Sequence, residues 1–131
     1  MGQASQRPRV LIVDDDVANL RVFARAFRAE LDITTAASGP LALAAAAEGS
    51  PTVAFVDYTM PEMNGAAVLA ALRVACPRLV CYLLTGYGDL PATGEVLRAG
   101  LCKAILAKPW DRATIREAVA HAVSIAAADG P

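Results

Sequence analysis

The chain predicts an α/β domain built on a parallel sheet, and three observations carry that prediction. Five brief apolar runs, at Arg9–Val13, 33–36, Val53–Asp57, 79–85 and Ala104–Ala107, recur along 131 residues. Between them lie segments whose apolar residues return at helical spacing. The residues that end four of the runs are chemically selective: Asp14-Asp15-Asp16, Asp57, Thr85 and Lys108-Pro109. Strands alternating with helices imply right-handed βαβ units, a parallel sheet and helices on both faces.

Each element has its own signal. Arg9–Val13 is short and β-branched, as a strand buried on both faces should be. Residues 17–29 then place Leu20, Ala24 and Phe27, with Leu31 beyond, at helical intervals, and Asp16 is suited to cap that helix. Residues 33–36 form the second strand. Ser38-Gly39-Pro40 opens a second helix over 41–48, whose alanines permit close packing and which Gly49 ends. Val53–Asp57 is the third strand. Pro61 biases Met60 away from helical backbone, Asn64-Gly65 reads as a turn pair, and a helix over 66–75 buries Val68, Leu69 and Leu72. Pro77 breaks that helix before the fourth strand, 79–85. Gly86-Tyr87-Gly88 leads into a fourth helix around 90–99 that Pro91 can start. After Ala104–Ala107, Asp111 caps a last helix with Ile115, Val119, Ala122 and Ala126 on its inner face.

At this length the chain predicts one domain, 1–131 with a core of about 9–127, and 56% hydrophobic residues suffice for its core. A net charge of −1, from 12 basic and 13 acidic residues, gives no electrostatic footprint for nucleic acid or an anionic membrane. No apolar stretch is long enough to span a bilayer, and the first nine residues lack a signal-peptide core, so a cytoplasmic location is expected. Cys76, Cys81 and Cys102 lack metal-ligand spacing and read as reduced, buried thiols.

Parallel strands bring their carboxyl ends to one edge, where open α/β sheets place ligands. Three carboxylates, a hydroxyl and an ammonium would then converge. Clustered carboxylates are costly unless cations neutralise them, so the set asks for a divalent metal and a lysine, the parts of a phosphoryl site. Mg²⁺ takes oxygen ligands and keeps several waters; Asp15 and Asp57 suit direct ligation, with Asp14 one shell out. Asp57 is the candidate nucleophile, because a carboxylate can form an aspartyl-phosphate once a metal lowers its repulsion with the incoming group. Thr85 could hydrogen-bond a phosphoryl oxygen, with room left by Gly86. Lys108 supplies a point charge, and Pro109 admits a cis bond that aims it inward. Taken singly, each has a plainer reading: a solvated acidic turn, a strand-end Thr bonded to backbone, an exposed Lys-Pro.

Together, Val13-Asp14-Asp15, Asp57 with Met60-Pro61 and Gly65, Leu84-Thr85-Gly86, and Ala107-Lys108-Pro109-Trp110 resemble the signature of the response-regulator receiver domain of two-component signalling, a chemotaxis-regulator-like domain. The resemblance runs from about residue 9 to 127, in matching order and spacing. It implies a flavodoxin-like (βα)5 fold, doubly wound, with a parallel sheet of order 2-1-3-4-5. It also implies Mg²⁺-dependent (or Mn²⁺-dependent) transfer of a phosphoryl group to Asp57 from a sensor histidine kinase or a histidine phosphotransfer protein. Asp14, Asp15, Asp57 and the backbone carbonyl of Thr59 would hold the metal, and Thr85 and Lys108 would contact the phosphoryl group. The surface around the fourth helix, fifth strand and fifth helix would rearrange toward an output protein or fused output domain, with no direct nucleic-acid or membrane partner. The domain would be a monomer or weak homodimer, and no enzyme beyond catalysing its own phosphorylation and dephosphorylation.

The chain departs from the family's commonest pattern at Ile105, where many receivers carry a Tyr or Phe that turns inward on activation. Tyr87 and Thr59 occupy positions that in this family tend to set how fast the phosphate is lost. The Thr-Gly-Tyr-Gly-Asp and Lys-Pro-Trp-Asp stretches more weakly resemble receivers fused to cyclic-dinucleotide phosphodiesterase or kinase modules. Two other readings compete. A degenerate receiver serving as a protein-binding scaffold would have lost an acidic residue or the lysine, and none is lost. A small aspartyl-phosphate hydrolase would match Asp14-x-Asp16, but Val17-Ala18 does not continue its pattern.

Overall fold

The computed structural model describes residues 7–58, 60, 64–86 and 90–128, with residues 90–93 described by backbone alone. Five strands and five helices alternate: β1 (Arg9–Val13), α1 (Val17–Phe27), β2 (Asp32–Ala36), α2 (Gly39–Gly49), β3 (Val53–Asp57), α3 (Gly65–Ala75), β4 (Val80–Thr85), α4 (Leu90–Arg98), β5 (Ala104–Ala107) and α5 (Arg112–Ala128). All strand pairs are parallel and the order is β2-β1-β3-β4-β5, the flavodoxin-like arrangement expected.

The sheet separates two cores by the parity of its residues, since successive strand side chains face opposite ways. Leu11, Val13, Ala54, Val56 and Leu83 join Ala42 and Ala46 of α2 and Val68, Leu69 and Leu72 of α3. Val10, Ile12, Val53, Phe55, Tyr82 and Leu84 join Leu20, Phe23 and Phe27 of α1 and Ile115, Val119 and Ala122 of α5. The second core is aromatic: Phe23 touches Phe27, Phe55 and Trp110 at centroid distances of 5.0, 5.7 and 5.3 Å. Tyr82 stacks on Phe55 and satisfies its buried hydroxyl by donating to the Ala118 carbonyl at 3.1 Å.

Most caps follow the sequence. Asp16 accepts from the Ala18 N–H, Ser38 from Leu41 and Asp111 from Thr114. Several expectations are corrected. Asn64 is the N-cap of α3, accepting from the Ala67 N–H at 3.0 Å, and Gly65 is already helical. Ser50 rather than Gly49 takes the left-handed conformation (φ 48°) after α2. α1 stops at Phe27, short of residue 29, and Phe23 is buried with Leu20 and Phe27 while Ala24 is half-buried. Ala126 is exposed, and Cys76 is only half-buried while Cys81 and Cys102 are buried. Burial pushes the Cys81 thiol up to about 12, so it is an inert apolar filler.

Candidate functional site

Hydrogen bonding between strands continues one residue past the strand ends and fixes the site there. The Asp14 N–H donates to Ala36 O, the Tyr58 N–H to Leu84 O and the Lys108 N–H to Thr85 O, at 3.1, 2.9 and 2.9 Å. Because Asp57 lies opposite Leu84 and Thr85 opposite Ala107, the three strand ends present their polar residues side by side. The peptide bond between Lys108 and Pro109 is cis. Gly65 lies against the Asp57 strand end: a Cβ there would stand 2.5 Å from Asp57 O and 2.7 Å from Tyr58 Cα, and the Gly65 N–H donates to Tyr58 O at 2.7 Å.

Asp14, Asp57 and Thr85 are the buried polar side chains among the described residues, at 4%, 5% and 2% exposure, whereas Asp15 is exposed. Carboxylate oxygens of Asp14, Asp15 and Asp57 lie within 4.8 Å of one another. The Lys108 ammonium donates to Asp57 Oδ1 at 2.9 Å and stands 3.8 Å from Asp14 Oδ2. Asp14 is held further by the Asp16 N–H, at 2.9 Å, and by the Asn19 side-chain amide, at 3.2 Å. Thr85 donates its hydroxyl to Gly86 O at 3.3 Å, and the space where a Gly86 Cβ would stand is open. Ile105 is half-buried against the core that contains Leu83.

Burial pushes the Asp57 carboxyl above the usual carboxylate range; the Lys108 hydrogen bond opposes this, while the Asp14 and Asp15 charges add to it. For Lys108 burial acts downward, but the Asp57 hydrogen bond and the surrounding carboxylates outweigh it and hold the ammonium above its ordinary value. Three hard oxygen donors with one cation fit a small divalent metal. The site therefore brings together Asp14, Asp15, Asp57, Thr85, Gly86, Lys108 and Pro109, with one carboxylate oxygen each from Asp14, Asp15 and Asp57 in the acidic cluster. Thr59 and Tyr87 lie outside the described residues. Asn19 was missed by sequence reasoning; its signal was its place one turn beyond the Asp16 cap, on the face that meets Asp14.

Comparison with known proteins agrees with this geometry. The model of the response regulator receiver domain family matches residues 10–120. The DNA-binding transcriptional regulator NtrC of Salmonella typhimurium is 38% identical over 116 residues, covering 88% of this chain and 24% of that protein. The chain thus spans about a quarter of the length of that curated relative. The crystal structure of adenylate cyclase from Rhodopirellula baltica superimposes with a TM-score of 0.85 at 33% identity, covering 91% of this chain and 89% of that one. A CheY-like receiver domain protein from Methanospirillum hungatei gives a TM-score of 0.86 at 26% identity over 95% of this chain and 100% of that one. On the strength of these matches, and of an acidic cluster paired with lysine at the carboxyl edge of a 2-1-3-4-5 sheet, the chain belongs to the response-regulator receiver domain family.

Proposed function

We propose that this receiver is a phosphorylation switch, with Asp57 as phosphoacceptor. The observation that carries the reading is the buried Asp57 carboxylate, 2.9 Å from the Lys108 ammonium and clustered with Asp14 and Asp15. Asp57 Oδ attacks the phosphorus of a phosphohistidine on a sensor kinase or phosphotransfer protein. The N–P bond breaks as the O–P bond forms, and the imidazole leaves, taking a proton from solvent. Asp14, Asp15 and Asp57 are the residues that would hold Mg²⁺ or Mn²⁺, together with the Thr59 carbonyl. When bound, the metal supplies charge that lowers repulsion between carboxylate and phosphoryl group.

Lys108 then shares its ammonium with the phosphoryl oxygens, and the Thr85 hydroxyl exchanges its carbonyl partner for one of them. Those two shifts would carry the signal along β4 and β5 to the surface of α4, β5 and α5, where an output protein or domain reads it. Residues about 9–127 form the working unit. No helix among the described residues is long and apolar enough to cross a membrane. The test is intact mass after incubation with acetyl phosphate and Mg²⁺: one phosphoryl group should be added, and none to Asp57→Asn. Robust labelling of the Asn variant would remove Asp57 from the role.

A further inference from the structure

Outside the acidic cluster, α1 and the segment after β5 line an open surface cleft of about 420 Å³ that the phosphoryl chemistry does not use. Val22 and Ala26 of α1 and the indole of Trp110 give it apolar walls, and Arg21, Arg25 and Arg112 supply its charges. No acidic side chain lines it. Arg21 and Arg25 are exposed and have no hydrogen-bond or ion-pair partner among the described residues. Trp110 is held in place by ring contacts with Phe23 at 5.3 Å and Phe27 at 5.6 Å. A ring fixed by the core before binding loses little freedom when a second ring packs on it.

A second cavity, of about 500 Å³, shares Val22 and Trp110 but reaches Asp14 and Lys108. At that end the Lys108 ammonium is already paired with Asp57 and Asp14, so the cation there is engaged within the acidic cluster. The arginine end therefore selects its occupant by charge, and Trp110 selects it by shape. Guanidinium groups match carboxylate and phosphate oxygens in paired hydrogen bonds, and both they and indole rings stack on flat ligands.

We propose that the cleft between α1 and Trp110 binds a small aromatic anion, with its ring packed on Trp110 and its phosphate or carboxylate held by Arg21, Arg25 and Arg112. This site goes beyond the phosphoacceptor reading and does not depend on it. A molecule of mononucleotide size fits the volume, and neither phosphate transfer nor a metal is involved.

Trp110 is the single tryptophan of the chain, so its indole N–H gives one resonance in a nitrogen-15 correlation spectrum. Adenosine 5′-monophosphate and 4-hydroxybenzoate, titrated separately without Mg²⁺, distinguish a phosphate from a carboxylate ligand. Saturable movement of the indole resonance with either supports the site, at an affinity about tenfold above that of uncharged adenosine or 4-hydroxybenzamide. Arg25→Glu and Arg21→Glu should each weaken binding by about tenfold, while Lys108→Ala leaves it in place. Equal response to charged and uncharged probes, loss in Lys108→Ala but not in the arginine variants, or no movement with either anion would overturn the proposal. Acetyl phosphate labelling of Asp57 in Arg25→Glu reports separately on the phosphoacceptor reading.

Discussion

The Lys108 ammonium donates to Asp57 Oδ1 across 2.9 Å, joining the ends of two strands that are not neighbours in the sheet. β4 lies between them, so Thr85 sits beneath the bridge. The ion pair thus spans the site from the end of β3 to the end of β5.

Lys108→Ala should leave the fold intact while moving the Asp57 titration. The lysine opposes the upward push of burial on the Asp57 carboxyl, so its removal raises that pKa further. Only the carboxylate is nucleophilic. Acetyl phosphate labelling should therefore fall off at higher pH in the variant than in the parent, and partner binding should respond less to phosphorylation. Superimposable pH profiles would show that the pair does not tune Asp57.

Asp57→Asn should raise the melting temperature at neutral pH when divalent metal is absent. A carboxyl whose folded pKa lies above its unfolded value adds stability that is fully present below the unfolded pKa and lost as pH rises through the folded one. At pH 7 that contribution is gone and the burial cost remains, so the neutral amide is favoured; in acid the advantage should vanish. Lys108 has its pKa raised too, so its contribution persists until pH climbs past the ordinary lysine value. Mg²⁺ at about a hundredfold excess over its Kd should add about 2.7 kcal/mol to the parent protein. Asp15→Ala should shrink that gain. Calorimetry with and without EDTA measures both effects.

Gly65→Ala should cost about 1–3 kcal/mol and depress phosphorylation, because the added Cβ meets backbone atoms of Asp57 and Tyr58 that cannot turn aside as a side chain would. Chemical denaturation gives the first quantity and the acetyl phosphate rate the second. Gly49→Ala is the control: nothing lies within 4 Å of its Cβ and its φ is not positive, so it should be neutral or slightly stabilising.

Strand ends were legible because the apolar runs are short and stop at polar residues; Val53–Asp57 and Ala104–Ala107 stand where periodicity placed them. Helix ends were less so. Ser50 takes a left-handed conformation that glycine usually fills, and Asn64 works as a cap although Asn-Gly is also a turn pair, so local chemistry allowed both readings. Phe23 escaped because four-residue spacing from Leu20 points to Ala24, whereas the aromatic core selects the three-residue neighbour. In the site, residue types and strand-end positions revealed the acidic cluster and the lysine. The Asn19 contact with Asp14 depends on the rotation of α1 about its axis, which spacing alone does not fix.

The last prediction concerns Ile105, an aliphatic side chain half-buried against the Leu83 core at the position where many receivers carry an aromatic ring. It has no polar tip with which to report movement of Thr85. Thr85 itself is 2% exposed and bonded to the Gly86 carbonyl at 3.3 Å. A phosphoryl group on Asp57 adds three strong acceptors beside that hydroxyl, enough to redirect it whatever residue occupies position 105. Thr85→Ala should accordingly accept phosphate and yet lose most of the phosphorylation-dependent change in amide exchange of the segment following β4. Ile105→Val removes one methylene from the partly buried side chain, costs about 0.5–1.5 kcal/mol at most, and should keep that change. If the exchange response survives in Thr85→Ala and disappears in Ile105→Val, signalling runs through packing at β5 and the hydroxyl is a bystander.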